Sequence, residues 1–171
     1  MTDAAALPSL SVLAERVAAQ LKARRETVAV AESSAGGLVS AALLAVPGAS
    51  AYFLGGAVVY SRRAGKALMG LTAADMDGMR AETEPYARLM AARVREAHRA
   101  RWGLCESGAA GPSGSPYGDP AGHVCLAVAG ASLHSRVLAT GCSDRPQNMD
   151  CFARQLLNLF DAVLRNGGAP A

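Results

Sequence analysis

A short polar segment, residues 32–37, is the part of this sequence best suited to holding a reacting molecule. Its members are Glu32, Ser33, Ser34, Ala35, Gly36 and Gly37. A run rich in β-branched residues precedes it and an Ala/Leu-rich run follows it, which predicts a strand, a tight turn and the start of a helix. Free amides at a helix N-terminus bind anions or polarised oxygens, and glycine lets a ligand approach the backbone closely. The segment is therefore predicted to form one wall of a site.

Two features of this segment have more than one interpretation. Glu32 either caps backbone amides of the turn or contacts a ligand. Gly36 and Gly37 serve either ligand approach or close packing of the helix on the strand. The sequence does not separate these alternatives.

The cysteines and histidines do not form a metal-binding pattern. The four cysteines stand singly, without a C-x-x-C pair or a neighbouring pair of histidines: Cys105, Cys125, Cys142 and Cys151. They are predicted to be buried free thiols, and no metal or other cofactor is expected. His123 follows a glycine-rich segment and is placed to reach a site, but a hydrogen-bonded surface role is favoured for it over that of a base.

Composition and charge limit the class of protein. With 171 residues, 51% of them hydrophobic, the chain is predicted to form one domain over residues 1–171. The net charge is +3, the arginines are spread along the sequence and only 5% of residues are aromatic, so a nucleic-acid partner is not expected. No leader pattern and no apolar run of about 20 residues is present, which predicts a cytoplasmic protein without a membrane partner.

The order of the predicted elements indicates an α/β fold. Helices are predicted over residues 10–25, 38–46, 61–70, 84–101 and 146–165, and strands over residues 27–31, 57–60, 104–108, 124–129 and 135–140. This order predicts a three-layer α/β/α arrangement with one mixed β-sheet of about five strands. Residues 107–122 are rich in glycine and proline, and a loop of this length is typical of a functional or mobile segment.

Several motifs together resemble the CinA C-terminal domain family over residues 10–165. They are Thr27 to Gly37, Val46-Pro47-Gly48-Ala49-Ser50-Ala51-Tyr52-Phe53, Gly56-Ala57-Val58-Val59-Tyr60-Ser61, Gly108-Ala109-Ala110-Gly111-Pro112 and Asp144-Arg145. Some members of that family are nicotinamide-nucleotide amidohydrolases, which convert nicotinamide mononucleotide to nicotinate mononucleotide and ammonia. The resemblance implies this fold, a nucleotide-sized substrate or ligand, and a homo-oligomer such as a dimer.

The resemblance also implies a metal-free mechanism. The family's serine nucleophile falls on Ser50 and its tyrosine on Tyr60, whereas its lysine position is Gly65 here, with Lys66 one residue further on. One residue turns a helical side chain by about 100°, which aims Lys66 away from the family's lysine position. Outside the resemblance, Ser50 is interpreted as a cap, Tyr60 as a packed aromatic and Lys66 as a solvated helix lysine.

The resemblance places a binding wall around the proposed chemistry. Its predicted substrate-binding residues are Glu32, Ser33, Ala35, Gly36, Gly37, Gly56, Ser107, Gly108, Gly111 and Arg145. The sequence departs from the family in the turn, where Ser34 and Ala35 replace a cysteine and a threonine, and in the loop, where Asp119 replaces a lysine. The position at which the family has a basic group to meet a phosphate is therefore acidic here. Arg145 still offers the forked donors of its guanidinium to a phosphate.

Two hypotheses follow from the motifs and their departures. In the first, Ser50 attacks a carboxamide, Lys66 or a substitute base takes the proton, Tyr60 assists, and amides near Gly36-Gly37 or Ser107 stabilise the oxyanion. In the second, the chain keeps the fold and the nucleotide-sized pocket but has lost the base, and acts as a binding or interaction module. The distance between Lys66 and Ser50 discriminates between them.

Overall fold

The computed structural model describes residues 7–167, and the chain alternates helices and strands as the sequence predicts. The helices are α1 (Leu10–Arg24), α2 (Leu38–Ala45), α3 (Arg62–Met69), α4 (Glu84–Ala97) and α5 (Arg145–Arg165). The strands are β1 (Val28–Glu32), β2 (Phe53–Val58), β3 (Trp102–Gly108), β4 (His123–Ala129) and β5 (Leu133–Ala139). A 3-10 turn, Ala49–Ala51, precedes β2.

The five strands form one mixed sheet in the order β2-β1-β3-β4-β5. Strand β1 pairs in parallel with both β2 and β3, whereas β3–β4 and β4–β5 are antiparallel. The C-terminal ends of β1, β2 and β3 therefore lie along one edge of the sheet. In open α/β sheets this is the edge where ligands bind.

Helices cover both faces of the sheet, which gives the α/β class and the layers predicted from the sequence. On one face α1, α2 and α5 enclose the larger core, where Trp102 meets Phe160 edge to face with ring centroids 5.5 Å apart. On the other face α4 packs over β1, β3 and β4, and Met90 and Val94 are fully buried there. The all-buried pattern of β1 and β3 follows from this two-sided cover.

Two predicted boundaries were wrong by four residues. Helix α4 ends at Ala97 rather than near residue 101, because Arg99 adopts φ +50° and the Ala100 amide bonds back to the Arg95 carbonyl, closing the helix. Strand β2 begins at Phe53 rather than at residue 57, because pairing with β1 extends the strand through Gly55 and Gly56. The second difference decides where Ser50 lies.

Candidate functional site

A cavity of about 580 Å³ opens where the C-terminal ends of β1, β2 and β3 meet α3 and the connection from α3 to α4. Its lining comprises Ser33, Val59, Tyr60, Ser61, Arg62, Gly65, Lys66, Leu71, Thr72, Ala73, Met76, Met79, Ala81, Glu82, Tyr86, Ser107, Pro116 and Tyr117. The volume lies within the range of about 300–1,000 Å³ that small-molecule sites occupy. The parallel part of the sheet thus positions a nucleotide-sized space.

Glu32 holds the start of α2 from inside the protein. Its Oε2 accepts the amides of Gly37 and Val39 at 2.9 and 3.1 Å, and its Oε1 accepts the amide and hydroxyl of Ser40 at 2.8 and 2.7 Å. The side chain is only 1% exposed. Of the two interpretations of Glu32, the structure shows the cap, and the positive end of α2 is satisfied by this carboxylate.

Glu106 accepts two further amides of the turn. It lies beside Glu32 in the β1–β3 register, and its Oε2 accepts the amides of Ser33 and Ala35 at 3.0 and 2.8 Å. The Gly36 amide bonds to the Ser33 carbonyl. These amides therefore bind oxygens of the protein itself. Of the wall predicted over residues 32–37, Ser33 lines the cavity, whereas Ala35, Gly36 and Gly37 do not.

Burial raises the pKa of Glu106 to about 7, and the neighbouring charge of Glu32 adds to the shift. The hydrogen bonds from Ser34, Ala35 and Ser33 oppose it. Between the ordinary carboxyl range and pH 7, the folded protein therefore binds a proton that the unfolded chain does not.

We expect this proton to make stability fall as the pH rises from about 4.5 to about 7. The limiting slope for one such group is about 1.4 kcal/mol per pH unit, because the folded state binds more protons than the unfolded state. Urea unfolding across this range measures it. Glu106→Gln should flatten the slope, whereas Glu96→Gln, at an exposed position of α4, should leave it unchanged; equal slopes in all three proteins would contradict the shift.

The structure does not bring Ser50 to Tyr60 and Lys66. Ser50 is exposed in the 3-10 turn before β2, and Tyr60 follows β2 at its other end. Six strand residues separate them, and at about 3.3 Å per residue this amounts to roughly 20 Å. Ser50 is absent from the cavity lining, while Tyr60 and Lys66 both line the cavity.

Gly65 and Lys66 share α3, but they face different surroundings. Gly65 is buried against the cavity, and a Cβ there would lie 2.9 Å from Leu71 Cδ1. Lys66 is exposed at the cavity rim and has no hydrogen-bond or ion-pair partner among residues 7–167. The register shift seen in the sequence therefore leaves Lys66 at an exposed position of the cavity lining, while the buried position belongs to Gly65.

Tyr60 and Arg145 form a pair at the mouth of the cavity. The Tyr60 hydroxyl accepts a hydrogen bond from Arg145 Nη2 at 2.9 Å, and Arg145 Nη1 donates to the Gly111 carbonyl at 2.7 Å. The Tyr60 side chain is 63% exposed. Arg145 therefore fastens the glycine-rich loop to the end of β2, and two of its donors are already used.

Packing requires glycine at three of the positions predicted to bind substrate. A Cβ on Gly56 would lie 2.3 Å from Ser40 Oγ, and one on Gly108 would lie 2.5 Å from the His123 carbonyl oxygen. Gly111 adopts φ +104°, and a Cβ there would lie 2.7 Å from the Ser143 carbonyl oxygen. None of the three lines the cavity, whereas Ser107, which is 1% exposed, does.

An ion pair between Asp119 and Arg80 anchors the loop of residues 107–122 to the segment before α4. Asp119, where the resemblance implies a lysine, receives two hydrogen bonds from Arg80 at 2.6 and 3.0 Å and a third from Ser115 at 2.6 Å. The hydrogen bonds from Arg80 contribute most to lowering the pKa of Asp119 to about 2. The loop also carries Tyr117, whose hydroxyl receives a hydrogen bond from Arg62 at 3.2 Å. The acidic replacement thus has a structural partner.

Sequence reasoning missed Glu82, the acidic side chain in the cavity lining. Its backbone has φ +58°, a left-handed conformation that costs about 1–2 kcal/mol for a non-glycine residue. Its amide donates to Ser107 Oγ at 3.2 Å, and its carbonyl lies 2.9 Å from His123 Nε2. The available signal was its place before the helix cap Thr83, where an apolar residue commonly packs on the first turn.

Other features of the described chain bear on the kinds of site it can hold. Within residues 7–167, no group of three or more His, Cys, Asp and Glu side chains could hold a metal ion. No helix in that range combines the length and apolarity needed to cross a membrane. Cys105, Cys125 and Cys151 are buried free thiols as predicted, and Cys142 is a free thiol that is half-buried.

Comparison with known proteins agrees with the motifs. The family model described as the CinA C-terminal domain matches residues 10–164. A CinA-like protein of Anaeromyxobacter dehalogenans (strain 2CP-1) is 41% identical over 153 residues, which are 90% of this chain and 38% of that protein. One from Synechococcus sp. (strain CC9902) is 47% identical over 105 residues, 61% of this chain and 25% of that protein. The chain thus spans well under half the length of these curated relatives.

Solved structures match over nearly their whole length. The CinA superfamily protein of Klebsiella pneumoniae 700603 superimposes with a TM-score of 0.87 at 26% identity, covering 93% of this chain and 99% of that one. The competence/damage-inducible protein CihA of Agrobacterium tumefaciens gives 0.84 at 26% identity, covering 93% and 98%. The resemblance inferred from the motifs is confirmed, and the chain belongs to the CinA C-terminal domain family.

Proposed function

We propose that this chain binds a pyridine nucleotide, or a carboxamide compound of similar size, in the cavity beside β1, β2 and β3. The cavity has the volume of such a ligand, and its lining includes both basic and acidic side chains. Arg62 and Lys66 lie exposed at the rim, where they can meet a phosphate. Glu82 and the buried Ser107 hydroxyl also belong to the lining and lie next to each other, where they can meet polar atoms of a ring substituent.

The separation of Ser50 from Tyr60 and Lys66 is the observation that favours binding over hydrolysis. A serine can attack a bound carboxamide only from about 3–3.5 Å, and the length of β2 places Ser50 roughly 20 Å from Tyr60 within one chain. Lys66 lines the cavity and Ser50 does not, so Lys66 is not placed to act as the base for Ser50. One copy of the chain therefore supports binding without hydrolysis by the mechanism that the resemblance implies.

Titration calorimetry with nicotinamide mononucleotide tests this proposal. We expect saturable binding that weakens about tenfold in Lys66→Ala, because one charge-assisted phosphate contact is lost. Lys22→Ala is the matched control, since Lys22 lies on α1 and donates to the Pro47 carbonyl, away from the cavity. Ammonia release should stay at the level of Ser50→Ala. Absence of binding, or equal affinity in both lysine variants, would contradict the proposal.

A second candidate function is amide hydrolysis by two copies acting together. Strand β2 is an edge strand, and Leu54 and Val58 on it are each 44% exposed. An unpaired edge is a template for another strand, and a two-fold axis would pair two β2 strands antiparallel. With Gly55 opposite Gly56 of the other copy, Ser50 of one copy would face the residues beside Tyr60 of the other.

A mixing experiment separates this candidate from simple binding. If wild-type protein releases ammonia from nicotinamide mononucleotide, Ser50→Ala and Tyr60→Phe should each abolish it. Mixing and reassembling the two variants should restore about a quarter of wild-type activity, because random pairing gives half heterodimers with one intact site each. An inactive mixture would exclude a site shared between copies.

A further inference from the structure

Glu82 belongs to the cavity lining and has one buried carboxylate oxygen that is unsatisfied within residues 7–167. Its Oε2 is buried and has no hydrogen-bond partner among the described residues, although the side chain lines the cavity. Buried carboxylate oxygens ordinarily accept a hydrogen bond, because leaving one unmade costs the full desolvation of the group. The position of Glu82 is held through its backbone by Ser107 and His123, so the side chain itself remains available.

The surroundings of Glu82 do not neutralise it. Arg80, the nearest cation in sequence, directs its guanidinium to both oxygens of Asp119. Tyr86, 7% exposed, also lines the cavity, and burial raises its pKa to about 12, so it stays a neutral hydroxyl. Burial, and to a smaller extent the Asp119 charge, raise the pKa of Glu82. Arg80 and His123 lower it, but their effects are smaller. An incoming donor would relieve this desolvation.

We propose that Glu82 is a specificity-determining residue that accepts a hydrogen bond from an N–H group of the ligand and rejects the corresponding carboxylate. This inference rests on the proposed function of the cavity. A carboxamide supplies two N–H donors in the place where the acid supplies only oxygens. A ligand carboxylate at Glu82 would set two like charges against each other in a partly desolvated space. The cavity therefore selects amides over acids of the same shape.

Paired ligands that differ only in this group test the proposal. Titration calorimetry would compare nicotinamide mononucleotide with nicotinate mononucleotide, and free nicotinamide with nicotinate, which lack the phosphate. In the wild type we expect each amide to bind at least about tenfold more tightly than its acid, as for a hydrogen bond to a charged group. In Glu82→Gln the preference should fall to about threefold or less, chiefly through tighter binding of the acids.

Glu84→Gln is the matched control, because Glu84 is exposed on α4 and accepts a hydrogen bond from Ser135 outside the cavity. It should keep the wild-type preference, and thermal unfolding of both variants verifies that they fold. An unchanged preference in Glu82→Gln would overturn the role of Glu82 while leaving nucleotide binding intact. Discrimination between the free bases without binding of either nucleotide would support Glu82 and contradict the proposed function. Absence of binding by all four compounds would overturn both.

Discussion

Glu32→Gln is expected to lower the free energy of unfolding by about 3 kcal/mol. Each carboxylate oxygen of Glu32 accepts two hydrogen bonds, from the amides of Gly37 and Val39 on one side and from the amide and hydroxyl of Ser40 on the other. Either orientation of a glutamine amide therefore turns its NH₂ group against two donors. The loss would come from two broken hydrogen bonds and from buried donors left unpaired.

Chemical denaturation of the purified protein measures this effect. Glu15→Gln is the control, because Glu15 is exposed on α1, and it should stay within about 0.5 kcal/mol of the wild type. Glu32→Gln should also weaken ligand binding, since Ser33 of the cavity lining follows Glu32 directly. A Glu32→Gln protein as stable as the Glu15→Gln control would mean that the carboxylate does not hold the start of α2.

Gly103→Ala is expected to destabilise the protein by about 3 kcal/mol or more, at the upper end of the range for overpacking. A Cβ at this position of β3 would lie 2.0 Å from the Ala91 carbonyl oxygen and 2.6 Å from Arg95 Cβ. The first of these atoms belongs to the backbone of α4, so relief requires the helix to move away from the sheet. Because α4 also carries Tyr86 of the cavity lining, the shift should reach the candidate site.

The control for Gly103→Ala is a glycine with open space around it. A Cβ on Gly78 would have no neighbouring atom within 4 Å, so Gly78→Ala bears only the backbone cost of φ +67°, about 1–2 kcal/mol. Thermal and urea unfolding of the two variants give the comparison. A smaller loss in Gly103→Ala than in Gly78→Ala would show that α4 does not pack on β3 as closely as described.

The fold followed from local sequence patterns. Apolar periodicity, the cap at Ser9 and the glycine that closes α3 at Gly70 each act over a few residues, and they located the elements and their order. Boundaries that depend on neighbouring elements were placed less well. The start of β2 is determined by hydrogen bonds to β1, and local patterns carry no information about that partner.

The error in β2 affected the interpretation of the site. A strand predicted only over residues 57–60 left the chain between Ser50 and Tyr60 free to fold back and bring the two together. An extended strand from Phe53 to Val58 separates them instead, since each residue of a strand advances the chain by about 3.3 Å. The motif match locates both residues in the sequence, but it does not show which end of the sheet each one occupies.

Residues 32–37, the polar turn before α2, show what the sequence by itself determined and what the tertiary structure decided. The sequence determined that a strand, a turn and a helix follow one another there, because propensity and periodicity are local properties. Only the tertiary structure showed that Glu32 and Glu106 accept amides of the turn, and that Glu82 of the cavity lining has a buried oxygen without a hydrogen-bond partner among residues 7–167. Ala35 and Glu106 are 71 residues apart in the chain. Such partners become neighbours only through strand pairing and helix packing, which no local pattern encodes.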